Sequence, residues 1–437
     1  MILILAILFG VSYVSLVWLL ARNFLVAWIL VLVLTCANFA FGTVALAIGR
    51  IHLDPTDLLY LCLLSAGIIR FRFQDLKLSV LNLLVGGYLL LFALSTARGL
   101  VAFDLSSVGT EGRGLFGEVL ALVYFTTIPH DRKTVKNVVI AQIVYSAVLV
   151  LICVLHYTGA PIGGLVGVTN GQNIYVGDAI DRGLPAGAVA SIALSILFAV
   201  SWTVYRKHSR WVHWLIGIFV AVVIVLQHRT VWAMLAIALA SASFIDSKML
   251  RYFWKIGGAV ILLASIGLFS FIGLRTKLAE ELHNSATNAD TLQWRIEGWK
   301  VFVTEDQSLL TVLIGQPVGS GFMRLDPSAG GYTNFAPHNE IITQYLRVGA
   351  LGVVLVVLFS IRPIYIYFRY ADSGSLLYPT PASWILVTIG VIVFGVPYNY
   401  SLELFALVAM ANGLTEMHFE ETFHQVPSLP RSVLARG

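Results

Sequence analysis

Long apolar runs separated by short polar connections fill most of the chain. A helix needs about 20 mostly apolar residues to cross a hydrocarbon core about 30 Å thick, because backbone groups there find no water and must pair with one another. Windows that meet this requirement lie near 2–21, 24–48, 55–70, 78–97, 114–129, 138–158, 183–205, 211–227, 230–246, 253–274, 341–361, 383–399 and 401–415. The pattern predicts an all-α integral membrane protein with about 12–13 transmembrane helices. Strand-period alternation is absent, which argues against an outer-membrane barrel. No internal repeat of useful length is visible, so an inverted-repeat transporter has no support.

One interval breaks the pattern. From about Arg275 to Pro337 the chain is polar, and it closes on Phe335-Ala336-Pro337-His338-Asn339-Glu340 before the next apolar run. Inside it, Thr291 to Thr304 has helical spacing: Leu292, Ile296, Trp299 and Val303 share one face, with Arg295, Glu297 and Lys300 around it. Such a helix lies on the bilayer surface or lids a cavity. Turn signals follow at Gly315, Pro317, Gly319, Gly321, Asp326-Pro327 and Gly330-Gly331. Pro337 marks a break, which predicts His338 in the first turn of the next span, at the membrane surface. The expected organisation is one polytopic domain over 1–415, with 275–340 as a large loop between spans. Residues 416–437 are expected to form a disordered cytoplasmic tail.

Composition agrees with the hydropathy. The chain is 58% apolar and 12% charged, against about 25% charged in soluble domains. The net charge of +5 resides in short loops and calls for no nucleic acid. Taking connections alternately, one set holds well over half of the 28 Lys and Arg. These are Arg22; Arg70, Arg72, Lys77; Arg132, Lys133, Lys136; Arg206, Lys207, Arg210; Lys248, Arg251, Lys255; Arg362, Arg369; Arg431 and Arg436. The positive-inside rule makes that set cytoplasmic. The polar interval, the loop at 159–182 and the His228-Arg229 connection then share the opposite face. Met1 to Ala21 has no basic start and no small-residue cleavage site, so it is read as a retained span. Cys36, Cys62 and Cys153 fit neither a zinc pattern nor a disulfide framework and read as small buried hydrophobes.

Few residues offer chemistry. His338 can take a proton from a hydroxyl, with Asn339 and Glu340 beside it to fix its tautomer or bind a sugar. It can equally be a helix-start histidine at the interface. Arg229 sits with barely a polar break between two spans. A charge there either meets an anion or snorkels to the headgroups. Arg182 can grip a phosphate bidentately, or pair with Asp178 or Asp181. Arg275 and Arg295 are further candidates on that face, each more readily structural. There is no Asp-x-Asp, no His/Cys cluster with metal spacing, no phosphate-cradling Gly loop and no serine-hydrolase signature. An enzyme built this way works without metal, nucleotide or other cofactor and draws on an activated substrate already in the membrane. Arginines and a histidine on one face suit a lipid phosphate or pyrophosphate next to a hydroxyl nucleophile.

These residues resemble a known pattern. Arg295-Ile296-Glu297-Gly298-Trp299-Lys300, Leu313-Ile314-Gly315, Gly319-Ser320-Gly321-Phe322, Pro337-His338-Asn339-Glu340 and Leu346-Arg347-Val348-Gly349-Ala350-Leu351-Gly352 are similar to the signature region of the bacterial O-antigen ligase and polymerase superfamily. Arg229-Thr230-Val231-Trp232 and Arg182-Gly183-Leu184-Pro185 resemble its upstream arginine elements, so the similarity covers roughly 180–360. The resemblance implies a GT-C-like membrane fold. It also implies a metal-independent, inverting glycosyltransferase at the periplasmic face of the bacterial inner membrane. The donor would be an undecaprenyl-pyrophosphate-linked glycan, and the acceptor a further glycan or lipid A-core. A chain-length regulator is an implied partner. His338 would be the general base, and Arg182 and Arg229 would bind pyrophosphate. Arg295, Arg275, Asn339, Glu340 and Trp299 would contact substrate. Glu340 follows His-Asn where many relatives carry a large or apolar residue, which bears on the acceptor rather than the reaction class. A flippase for the same lipid, or a non-catalytic scaffold of a polysaccharide assembly complex, stays open beside this.

Overall fold

A computed structural model describes residues 2–42, 46–48, 51–73, 79–160, 183–205, 210–255, 258, 290–304, 307–326, 331–334, 336–370 and 379–425. Helices dominate. The first nine are α1 (Ile2–Arg22), α2 (Phe24–Phe41), α3 (Pro55–Phe73), α4 (Val80–Ala102), α5 (Leu105–Tyr124), α6 (Arg132–Tyr157), α7 (Ala186–Tyr205), α8 (Arg210–Val225) and α9 (Arg229–Ile245). After a further helical stretch at 247–255 come α10 (Asp290–Thr304), α11 (Leu309–Ile314), α12 (Glu340–Tyr370), α13 (Pro381–Gly395) and α14 (Leu402–Gln425). Two short antiparallel hairpins complete the described residues: β1 (Leu46–Ile48) with β2 (Ile51–Leu53), and β3 (Met323–Asp326) with β4 (Gly331–Asn334).

Among the described residues, five helices are long and apolar enough to cross a membrane: α2, α4, α6, α7 and the 340–368 stretch of α12. Segments 10–22, 210–225, 229–245 and 381–395 are shorter and equally apolar. Many starts are fixed by an acceptor side chain that satisfies a free backbone N–H. Ser79 takes Asn82 N–H (3.1 Å), Asp104 takes Ser107 N–H (2.8 Å) and Asp131 takes Thr134 N–H (2.8 Å). Thr380 does the same for α13, with Pro381 behind it. The core forms where α5, α6, α7, α13 and α14 meet. α7 and α13 bury almost every residue, whereas α4 and α8 keep outward faces of exposed Leu, Val and Trp.

Side-chain contacts sort the connections into two ends. At one end Arg113 pairs with Asp54 and Asp57, Arg98 donates to Gly315 O (2.9 Å), His228 meets Leu184 O (3.1 Å) and Glu340 meets Tyr400 N. At the other end Arg70 donates to Ala21 O and Thr127 O, His130 meets Gly413 O and Tyr205 donates to Asp246. Arg362 there is held by Asn412 and by an ion pair with Glu416.

Three expected boundaries are corrected. The span expected at 24–48 ends at Phe41, where Gly42 turns with φ +75°, and its tail becomes β1. The apolar run at 341–361 is not one straight helix, because Gly349 interrupts it with φ +69° and ψ −175°. The tail expected to begin at 416 starts as helix, α14 running on to Gln425. The span expected at 253–274 and residues 426–437 lie almost wholly or wholly outside the described residues.

Candidate functional site

The site is built on the break in α12. Glu340 and Gln344 meet Glu118 on α5, while Arg347 meets Glu111. Those acids are seven residues apart, about 10 Å along a helix. Residues 340–348 therefore run antiparallel to α5, rising toward the end that carries the polar interval. Beyond Gly349 the chain folds back. Leu355 faces Gly87, beside the Tyr88 whose hydroxyl reaches Gln344. Only glycine adopts this backbone readily, and a Cβ on Gly349 would lie 2.2 Å from Leu313 O. Gly315 approaches in return, its Cβ position 2.4 Å from the Arg347 carbonyl carbon.

The stretch after α11 is held in place on three sides. Residues 315–321 are wedged among α4, α5 and α12. Gln316 N–H donates to Leu346 O (2.6 Å), and its carbonyl accepts from Ser95 Oγ (2.8 Å). Gly319 and Gly321 N–H both donate to Glu111 Oε2 (3.0 and 2.8 Å). Fully buried Arg347 pairs with Glu111, donates to Ser320 Oγ (3.1 Å) and Gly321 O (2.6 Å), and lies 4.3 Å from the Phe322 ring centre.

His338 stands at the foot of the rising helix. It is not in the first helical turn as expected. The helix begins at Glu340, Asn339 caps it through Oδ1 to Ile342 N–H (3.0 Å), and His338 precedes the cap with φ +48°. A side chain in the left-handed region is uncommon outside Gly, though His, Asn and Asp tolerate it best. α10 covers His338. Trp299 Nε1 donates to Pro337 O (2.6 Å), Arg295 donates to Pro397 O (3.1 Å), and the Arg295 guanidinium sits 4.9 Å from the Tyr398 ring centre. The predicted amphipathic helix thus lids the His338 turn from one side and grips the 396–401 connection from the other.

Below lies a buried polar floor. The Glu118 and Glu340 carboxyls converge on one side-chain amide nitrogen. The Gln344 amide donates to both, at 2.6 Å to Glu340, and accepts from Tyr88 OH (3.0 Å). Tyr400 N–H donates to the other Glu340 oxygen (2.8 Å).

The sequence-named residues divide accordingly. His338, Trp299 and Arg295 come together. Asn339 and Glu340 adjoin them: Asn339 Oδ1 caps α12, and the Glu340 oxygens accept from Gln344 and Tyr400 N–H. Arg229 opens α9 with an exposed side chain at the same end. Arg182 and Arg275 lie outside the described residues. The floor residues Tyr88, Glu118, Gln344 and Tyr400 were not among the site candidates. The available signal was Glu118 itself, an acid inside the apolar run Leu115–Leu120. No protein-family model matches the chain, and no curated protein matches it.

Proposed function

We propose that the chain is a metal-independent glycosyltransferase of the bacterial inner membrane that works at the periplasmic face. The basic end of the bundle would face the cytoplasm, and the His338 end the periplasm. The donor is a glycan on undecaprenyl pyrophosphate, and the acceptor is a hydroxyl of another glycan or of lipid A-core. The observation that carries this reading is His338 in a constrained turn beneath Trp299, at the end of the bundle that also presents Arg295 and Arg229. Neutral His338 takes the acceptor proton as the acceptor oxygen bonds to the sugar's anomeric carbon. The bond from that carbon to pyrophosphate breaks with inversion, and the lipid pyrophosphate leaves with the electron pair. Arg229 and Arg182 are assigned to its charge, and Arg275 to substrate binding.

Deleting the gene and resolving lipopolysaccharide on a gel separates the two forms of the reaction. Core without any long chains means ligation, and core carrying a single repeat means polymerisation. A second reading, a flippase for the same lipid, draws on the acids Glu118, Glu340 and Glu403 buried in the bundle. It predicts movement of the lipid across vesicles without transfer. A scaffold predicts that Arg229, Arg182 and His338 variants all behave as wild type.

A further inference from the structure

We infer that Glu118 and Glu340 form a clamp sharing one proton that positions the His338 turn and sets an alkaline limit on the transfer reaction. The inference rests on the proposed role of His338. Its observation is the floor described above: two carboxyls that accept from the same Gln344 amide nitrogen, both almost fully buried, on helices with no sequence proximity. Two carboxylates at that separation in a water-poor site repel too strongly for both to be ionised. With one proton between them the set closes. The Gln344 amide donates to each acid, Tyr88 donates to Gln344, and Tyr400 N–H takes the remaining Glu340 oxygen. The titratable groups facing the pair are Tyr88 from α4 and Tyr400 from the 396–401 connection. Arg347, two turns further along α12, is engaged by Glu111.

The mechanical consequence follows from position. Glu340 is the first residue of the rising helix, and only the Asn339 cap separates it from His338. It ties that helix to α5 through Glu118 and to the 396–401 connection through Tyr400. Arg295 holds the same connection from above. Loss of the shared proton places two negative charges side by side and drives the foot of α12 off α5, taking His338 out of register with Trp299 and Arg295. The acid limb of activity then belongs to His338, which works as a base only when neutral. The alkaline limb belongs to the acid pair.

The test is the pH profile of glycan transfer by the purified full chain in lipid, together with its thermal unfolding across the same pH range. The probe is an undecaprenyl-pyrophosphate-linked glycan. In Glu118→Gln an amide stands in for the protonated acid and cannot lose the proton. It should keep the acid limb, lose the alkaline fall, and transfer within about threefold of wild type at the optimum because the hydrogen bonds persist. Glu340→Gln should do the same. Independently of activity, the pair's contribution to stability is fully present below the ordinary carboxylate range of the unfolded chain and is lost as pH rises from there through loss of the shared proton. Wild-type Tm should therefore fall as pH rises from the ordinary carboxylate range to the alkaline limb, and Glu118→Gln should reduce that fall. A Glu118→Gln profile that superimposes on wild type, or a Tm–pH curve identical in the two proteins, overturns the clamp and leaves the transferase reading standing. Absence of transfer by wild type, with the Tm pattern intact, sinks the transferase reading instead.

Discussion

Arg347 and Glu111 form a buried ion pair that fastens the stretch after α11 to α5, with the backbone N–H groups of Gly319 and Gly321 on the same carboxylate. Removing one partner leaves the other charged and unpaired. Arg347→Ala should cost about 3–5 kcal/mol of stability, read as a lower Tm in detergent and a smaller folded yield. The double replacement Glu111→Leu with Arg347→Met should recover part of that loss, since no buried charge remains. A single Arg347→Ala as stable as wild type would show that the pair does not hold this stretch in place.

Gly349 is the corner that lets the His338 helix rise before the chain turns back. Its left-handed φ and the Leu313 carbonyl against it leave no room for a methyl group. Gly349→Ala should destabilise by at least about 2 kcal/mol. Gly86→Ala, on open helix surface with nothing near the Cβ position, is the control and should be neutral or mildly stabilising. Equal Tm changes in the two variants would contradict a corner at Gly349.

Trp299 reaches the His338 turn through one hydrogen bond, to Pro337 O. Trp299→Phe keeps the ring and removes the donor, a loss of about 1 kcal/mol. Transfer should fall by up to about tenfold, chiefly in kcat, because the donor positions the turn and does not bind substrate. A change confined to KM would assign Trp299 to substrate binding instead.

Local pattern made α10 legible: Leu292, Ile296, Trp299 and Val303 repeat at helical spacing, and the helix forms at Asp290–Thr304. Charge divided the connections into a more basic and a less basic set, because well over half of the Lys and Arg fall in alternate connections. The corner at Gly349 was not, since apolar residues continue on both sides and hydropathy is blind to a backbone dihedral. The Gly-x-x-Gly spacing was visible as a motif, yet its physical role, close approach of Gly315 to Arg347 and of Gly349 to Leu313, is tertiary. The floor was hidden for the same reason. Gln344 and Glu118 are 226 positions apart, and no local periodicity links them. Asn339 and Glu340 were read as neighbours of a functional histidine, but a helix start needs a cap, and Asn339 supplies it.

The central claim is that His338 takes the proton from an acceptor hydroxyl. It is tested most directly with the purified chain in lipid, an undecaprenyl-pyrophosphate-linked glycan and its acceptor, by following the glycan transferred. His338→Ala should lower the rate by about 10²–10⁴-fold while the protein inserts and unfolds at the wild-type temperature. Transfer by His338→Ala at the wild-type rate would contradict the account.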